Sequence, residues 1–369
     1  MTTVRELHNR AMVLAQEALV LRSTDDNETA IALAREAFAL EALAVRQIPQ
    51  SQDVEPTRSI LCQSAASLAL QCSEFGEARR YAALGLSGDP PRSIAGELLQ
   101  LLETISFHEA LTQDGIQLGD EFLECALTGP AVGYGVVGYR EFIDRITQIT
   151  QLLDRTVQRL VGSAYRRAGR RPKDAQPFVP FLEAPQRGSF SVTIRLGTRE
   201  GEMAPLFPSA HDVITNVLEG IELVDSERES ELQTRIKDDA YYVNFVSLTR
   251  NMAPDGEKIS VVQLRSRDKK VSLARSRTSI PVIQRATPGE PDVPKHIDIK
   301  GLLDFATSRK GESEIGLTTD DGSEYDIEVQ EGLDDLVRSY YGAYVNVTGL
   351  LTIEGNRKRV LLTDVCSGG

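Results

Sequence analysis

The four histidines and four cysteines of this chain are the first candidates for catalysis or metal binding, but they are widely spaced. The histidines form no H-E-x-x-H pair, and no two cysteines have the C-x-x-C spacing of a zinc or redox site. No G-x-S-x-G elbow, P-loop or kinase signature occurs. Cys125, in an apolar run with a helical pattern, is predicted to be a core thiol. We therefore predict no catalytic residue, no metal site and no cofactor. The residues concerned are His8, His108, His211, His296, Cys62, Cys72, Cys125 and Cys366.

One glycine motif, Gly133 to Gly138, has the letters G-x-G-x-x-G of a dinucleotide-binding loop and precedes a helical pattern. Such a loop must leave a parallel strand, and it needs an acid closing the next strand to hold the ribose. Here Pro130 lies just upstream, and Asp154, the acid at about the right distance, falls inside the helix. We interpret the motif as a turn into the helix, with anion binding at the helix start as the alternative.

Two basic segments contrast with the net charge of −13. Residues 155–173 hold seven basic residues and no acid, and residues 265–277 hold six basic residues and one acid. Arginine clusters suit phosphate contacts, because neutralising phosphates releases counterions. The alternative is pairing inside the molecule with the stretch 312–335, which holds ten acids and no base. The candidate phosphate contacts are Arg166, Arg167, Arg170, Arg171, Lys173, Arg265, Arg267, Lys269 and Lys270.

The acidic stretch itself predicts a second kind of surface. Its acids surround a predicted hairpin and a short helix, with Tyr340, Tyr341 and Tyr344 just beyond that helix. Exposed acids beside aromatic rings suit a basic protein partner, and the same acids repel a phosphate backbone. The alternative is that the acids only keep an edge hairpin soluble. The candidate partner surface comprises Asp320, Asp321, Glu324 and Tyr325.

The elements that position these residues begin with helices. Apolar residues recur at three- and four-residue spacing through the first hundred residues, which indicates buried helical faces. Small residues concentrate where two consecutive helices would touch, and Pro90 follows the second pair. The predicted helices are 5–21, 28–46, 57–72, 74–86 and 93–105. The small and apolar contact positions are Ala18, Leu21, Ala30, Ala34 and Ala37 in the first pair, and Ala66, Ala69, Ala78, Ala82 and Gly85 in the second.

This pattern resembles the tetratricopeptide repeat (TPR), whose helices meet through small residues and whose second helix is followed by proline. The resemblance covers residues 4–105. It departs from the family in two ways, because equivalent alanines Ala30 and Ala78 are 48 residues apart rather than about 34, and the large aromatic residue near the start is missing. A plain antiparallel bundle with an alanine-rich seam is the alternative. The resemblance implies a partner-binding scaffold.

The middle of the chain mixes both patterns and is predicted to be α+β, with a helical layer on a small sheet. A strong apolar stripe predicts a helix over 139–161, and two more helices are predicted over 210–224 and 227–250. Alternating residues predict strands over 189–196, 258–264 and 278–283. Three prolines in 284–296 indicate a linker to the next domain.

The last third predicts five short strands with one helix between the third and the fourth. The dipeptide Asp321-Gly322 is a strong hairpin signal. This order resembles the OB-fold, a small partly open barrel, and an SH3-like barrel is the alternative. The predicted strands are 296–303, 313–317, 324–329, 344–353 and 357–363, with the helix at 333–340.

Together these patterns predict a multidomain α+β protein of 369 residues, of which 41% are hydrophobic and 26% charged. We expect a TPR-like helical module at 1–110, an α+β middle domain at 120–285 and a small OB-like or SH3-like β-barrel at 296–366. No signal peptide or long apolar run is seen, so we expect a cytoplasmic protein without a membrane partner.

The expected function is that of a non-catalytic scaffold or adaptor, which binds partner proteins through the helical module and the barrel. One alternative is a nucleic-acid-associated component of a bacterial defence or ribonucleoprotein complex, bound through the basic segments. Another is an enzyme with an unrecognised site in the middle domain.

Overall fold

A computed structural model describes residues 3–23, 27–49, 52–133, 136–167, 177–183, 190–199, 207–283, 295–309, 312–354 and 357–368. The chain divides into two compact units, Met1–Gly115 and Ile116–Gly369. The second unit contains both the mixed middle region and a β-barrel. Among the described helices, none has the length and apolar character needed to cross a membrane.

The first unit is a helical module of five helices in which sequence neighbours pack together. Alanines form much of its core, and Ala34, Ala66 and Ala82 are fully buried. A Cβ added at Gly85 would lie 2.9 Å from Leu98 Cδ1, so the backbone approaches its neighbour closely there. The fifth helix continues beyond the predicted end at residue 105. The helices are α1 (Val4–Ser23), α2 (Asn27–Gln47), α3 (Thr57–Gln71), α4 (Phe75–Leu86) and α5 (Arg92–Gln113).

In its described residues the middle region has a five-stranded antiparallel sheet of order β4-β5-β1-β6-β7, four helices and a separate antiparallel pair of short strands, β2 and β3. The predicted α+β class of the chain is confirmed. The elements are β1 (Ile116–Thr128), β2 (Val132–Gly133), β3 (Val136–Val137), α6 (Tyr139–Leu160), β4 (Phe178–Glu183), β5 (Ser191–Arg199), α7 (Ala210–Asp225), α8 (Glu229–Arg235), α9 (Asp239–Met252), β6 (Val261–Arg265) and β7 (Lys270–Leu273).

Three local predictions in this region were wrong. The run around Cys125 is the central strand β1, in which Leu123, Cys125 and Leu127 alternate into the core. The single helix predicted over 227–250 is two helices, because the side chain of Asp238 accepts hydrogen bonds from two backbone amides and starts α9. The strand predicted over 278–283 is replaced by a short 3-10 turn, Arg277–Ser279, where hydroxyl groups bond to one another.

The C-terminal elements form a closed five-stranded barrel of order β10-β12-β11-β8-β9. Strands β10 and β12 run parallel, and the other neighbours are antiparallel. All five predicted strands are present, and the predicted helix lies between the third and the fourth. The elements are β8 (Lys295–Arg309), β9 (Glu312–Thr318), β10 (Glu324–Val329), α10 (Asp334–Ser339), β11 (Tyr344–Glu354) and β12 (Arg357–Ser367).

The barrel and the middle region share one hydrophobic core, which includes Leu152 of α6, Val246 of α9 and Leu336 of α10. Gly332, just before α10, has a φ of +104°, and a Cβ there would lie 2.9 Å from the carbonyl oxygen of Ala240. The chain before α10 therefore needs glycine both for its conformation and for its close approach to α9.

Candidate functional site

In the first basic segment, the side chain of Arg155 is buried and pairs with an acid. Its Nε lies 2.5 Å from Asp335 Oδ2 and its Nη2 lies 2.9 Å from Oδ1, so the guanidinium binds the carboxylate through two parallel hydrogen bonds. The guanidinium carbon stacks 4.2 Å from the centroid of the Tyr165 ring. Both charged side chains are buried, at 4% and 7% exposure. This arginine joins α6 to the barrel helix α10 and is not available to a phosphate.

Arg167, in the same segment, also pairs with an acid of the barrel. Its Nε lies 3.2 Å from Asp334 Oδ1, and its side chain also donates to the carbonyl of Val329. Burial raises the pKa of Asp334, and the nearby Arg167 opposes that rise. Arg166 is exposed, and its carbonyl accepts a hydrogen bond from Arg155. The candidate contacts Arg170, Arg171 and Lys173 lie outside the described residues.

The second basic segment pairs with acids on the sheet and on α7. Arg265 Nη2 lies 2.6 Å from Glu124, Arg267 Nη1 lies 3.6 Å from Glu121, and Lys269 Nζ lies 2.6 Å from Glu222. Lys270 is exposed and forms no salt bridge within the described part of the chain. The candidate phosphate contacts that pair with acids therefore do so at separate places, Arg167 with α10, and Arg265, Arg267 and Lys269 with β1 and α7.

A third internal cluster surrounds Asp364, on β12. Arg250 Nε lies 3.1 Å from its Oδ2, and Arg277 Nη2 lies 2.8 Å from the same oxygen. Arg277 also donates to Asn251 Oδ1 at 2.7 Å. Sequence analysis missed Asp364, because a single acid near the end of an apolar strand gives no signal of its own. The cluster ties α9 and the adjacent turn to the barrel.

The acidic hairpin of the barrel is on the surface, as the candidate partner surface requires. Asp320 Oδ2 accepts a hydrogen bond from the Tyr344 hydroxyl at 2.7 Å, and Asp321 accepts one from the backbone amide of Ser323 at 3.0 Å. Glu324 is exposed. Tyr325 is half-buried at the adjoining strand. Lys358 Nζ lies 5.0 Å from its ring centroid.

One tyrosine expected beside these acids belongs elsewhere. Tyr340 is only 5% exposed and packs in the core shared with the middle region. Its hydroxyl lies 3.4 Å from Asn251 Oδ1, and burial raises its pKa to about 12. The position directly after α10 turns this ring inward, whereas the next residue, Tyr341, is 60% exposed.

The helical module carries an apolar groove that sequence analysis missed. The groove, of about 370 Å³, lies along α1 and α2 and is lined by Gln16, Glu17, Val20, Leu21 and Leu33. Exposed apolar side chains adjoin it in the sequence of the same two helices: Val13, Leu19 and Ile31. The signal was present as a second apolar stripe on α1, at Val13 and Val20, beside the stripe that faces the module core.

The histidines and cysteines considered for catalysis or metal binding do not form a common site. In the portions of the chain that are described, no group of three His, Cys, Asp or Glu side chains is arranged to hold a metal ion. A second cavity, between α6 and the sheet, is only about 10 Å³ and includes one acid, Asp154. Burial raises the pKa of the Cys125 thiol to about 12, which leaves it protonated.

The glycine motif contains the paired strands β2 and β3, and helix α6 begins directly after it. Val132 pairs with Val137 and Gly133 with Val136 in the antiparallel ladder of β2 and β3. Residues 134 and 135 lie outside the described residues. A dinucleotide loop requires a parallel strand entering the helix, which this ladder does not provide.

Comparison with known proteins yields no relative: no protein-family model, no curated protein and no solved structure matches the chain.

Proposed function

We propose that this protein is a non-catalytic adaptor, which binds partner proteins through its helical module and its barrel. The observation that carries the proposal is the apolar groove on α1 and α2. Its lining residue Val20 is 54% exposed, and Val13, which adjoins it on α1, is 57% exposed. An apolar second face on a helix is stable when another surface covers it. A groove of this shape fits the apolar face of a partner helix.

The TPR-like interpretation of the module belongs to this proposal. Buried alanines at the contacts between α1 and α2, and between α3 and α4, support it, as does the close approach at Gly85. Repeat proteins need a polar outer face on their terminal repeats. The first helix pair here has exposed apolar residues instead, and this supports a partner at that end of the repeat.

The second part of the proposed function is that the barrel is OB-like and binds a partner protein. Five strands close the barrel and a helix separates the third strand from the fourth, which favours the OB-like form over the SH3-like one. Many OB-folds bind nucleic acids. The acids on this hairpin favour a basic protein segment in place of a phosphate backbone.

The proposal is tested by affinity capture from the native host, with and without nuclease. The variant carries Val13→Ser and Val20→Ser, and the matched control carries Leu99→Ser, which changes a residue 55% exposed on α5. We expect a protein captured by the parent and the control to be lost from the variant, because the variant removes apolar surface only at the groove. Equal capture by all three, or capture that nuclease abolishes, would overturn the groove as the binding site.

The ion pairs of the basic segments make nucleic-acid binding the less favoured function. Of its candidate residues, Arg167, Arg265 and Lys269 already pair with carboxylates. A phosphate would have to displace those carboxylates. Retention of labelled RNA or DNA by the full chain at low salt, with a steep loss as salt rises, would restore this alternative.

A further inference from the structure

The barrel has an outward row of side chains across four strands. The ladders pair Glu324 with Thr318, Thr318 with Leu302, and Leu302 with Tyr344. The neighbours in sequence, Leu317, Leu303 and Val345, are buried in the barrel. Because side chains alternate across a strand, the four residues of the row point away from the barrel interior.

This row has apolar residues on β8 and β11, Leu302 and Tyr344, and an acid on β10, Glu324. Leu302 is 43% exposed, and Tyr341, which precedes β11, is 60% exposed. The amide of Gly342 donates to the carbonyl of Leu303 at 2.9 Å, which holds Tyr341 near the row. The hydrogen bond from Tyr344 to Asp320 fixes both the ring and the carboxylate. We call Leu302, Tyr341, Tyr344, Asp320 and Glu324 the barrel patch.

The negative charge extends down the same strand. Asp326 and Glu328 alternate with buried Ile327 and Val329, so they share the outward face of β10 with Glu324. No salt bridge joins these three acids to a basic residue in the described part of the chain. By contrast, the two buried acids later in the same stretch, Asp334 and Asp335, are paired with Arg167 and Arg155.

We propose that the barrel patch docks an extended partner segment with apolar residues in one half and basic residues in the other. The inference rests on the proposed adaptor function and names the chemistry of the partner at the barrel. In an extended segment every second side chain faces the barrel. Those in the apolar half would cover Leu302 and Tyr341, and lysines or arginines in the basic half would meet Glu324, Asp326 and Glu328. A phosphate backbone or an anionic lipid surface would be repelled by those acids.

The test uses the full chain and a fluorescein-labelled synthetic peptide of about a dozen residues. Every second residue is leucine in its first half and lysine in its second half, with serine between them. Two peptides of the same length replace lysine with glutamate or leucine with serine. Fluorescence anisotropy gives the dissociation constants at low and physiological salt. We expect the lysine–leucine peptide to bind most tightly, and its affinity to fall as salt rises because exposed charges contribute.

Two variants and one control locate the binding. Leu302→Ser combined with Tyr341→Ser is expected to weaken binding at least about tenfold, since apolar anchors at the centre of a patch carry most of the affinity. Glu324→Lys is expected to weaken it by a smaller factor and to reduce its salt dependence. Ile353→Ser changes a residue of β11 that is 66% exposed and lies outside the patch, so its binding should equal that of the parent.

Several results would overturn the proposal. These are no binding of the lysine–leucine peptide at low salt, equal binding of the glutamate–leucine peptide, or an equal loss in the Ile353→Ser control. Should the double variant fail to fold, as shown by circular dichroism, Glu324→Lys decides, because that side chain is exposed. The groove variant Val13→Ser with Val20→Ser should bind the peptide as the parent does. Failure at the barrel and failure at the groove are thereby distinguished.

Discussion

Among single residues of the second unit, Arg155 forms a buried ion pair that joins two elements. It holds Asp335 with two hydrogen bonds and stacks on Tyr165. Removing one member of a buried pair leaves the other charge uncompensated. We expect Arg155→Ala to lower the free energy of unfolding by about 3–5 kcal/mol in urea denaturation. Arg166→Ala is the control and should change it by less than about 0.5 kcal/mol.

A loss below about 1 kcal/mol in Arg155→Ala would show that the pair is solvated like a surface salt bridge. The combined variant Arg155→Met with Asp335→Leu should recover much of the stability, because apolar residues of similar volume replace a buried pair at little cost.

In the first unit, Glu41 is fully buried, and its carboxylate oxygens lie 2.9 and 3.1 Å from His8 Nδ1. Burial raises the pKa of Glu41, while His8 lowers it by less. A raised folded-state pKa gives stability that is full below the unfolded pKa and is lost as pH rises through the folded pKa. Because neutral pH lies above the unfolded-state pKa of a glutamate, the burial of Glu41 opposes folding there.

We accordingly expect Glu41→Gln to increase hydrogen-exchange protection of α1 and α2 near neutral pH. The gain should shrink as pH falls to about 4, where the parent is itself protonated. Glu36→Gln, at an exposed position on α2, is the matched control. A gain that is independent of pH, or a loss of protection at neutral pH, would contradict the sign derived from burial.

The buried ion pairs of the second unit could be predicted only in part from the sequence. The basic segments and the acidic stretch predicted internal pairing as an alternative, and the structure places Arg155 and Arg167 against that stretch. The partners Arg155 and Asp335 are 180 residues apart. Their identity depends on how α6 and α10 pack, which no local pattern contains. Asp364, the partner of Arg250 and Arg277, gave no local signal.

At the scale of elements, the alanine seam of the helical module sets the distance between helices. Ala34 and Ala82 are fully buried. A leucine at either position would overpack the contact and lower the free energy of unfolding by about 1–3 kcal/mol. Ala39→Leu, at an exposed position of α2, should leave it nearly unchanged. Denaturant titration followed by helical circular dichroism measures all three, and an unaltered midpoint in both buried variants would contradict the seam.

Helices and strands were predicted correctly where the spacing of apolar residues followed a single helical or strand pattern. Alternating residues mark the barrel strands despite the register shifts at Leu303/Phe305 and Thr348/Gly349, and the first helices have an apolar stripe. Prediction was wrong where two interpretations competed locally. The run around Cys125 also alternates, at Leu123, Cys125 and Leu127, but its mostly apolar composition, with Glu124 the one charged residue of 122–127, favoured a helix. Strand β4 was missed because Pro180 interrupts its pattern, and an edge strand tolerates that proline.

At the scale of the whole molecule, the chain has two units with separate cores. We expect the fragment Met1–Gly115 to fold alone and to show helical circular dichroism. The barrel cut out at 295–369 should be much less stable than the fragment Ile116–Gly369. In isolation it would expose the core that it shares with α6 and α9, and Asp335 and Asp364 would lose their arginine partners. Equal thermal stability of the two fragments would contradict this shared core.

The central claim is that a partner protein covers the groove on α1 and α2, and site-specific photo-crosslinking in the native host tests it most directly. A photoreactive amino acid replaces Val20 in the groove or, as control, Leu99 on α5. We predict that the Val20 position crosslinks to one defined protein band and that the Leu99 position does not. Crosslinks of equal pattern from both positions, crosslinks to nucleic acid, or none from Val20 would contradict the account.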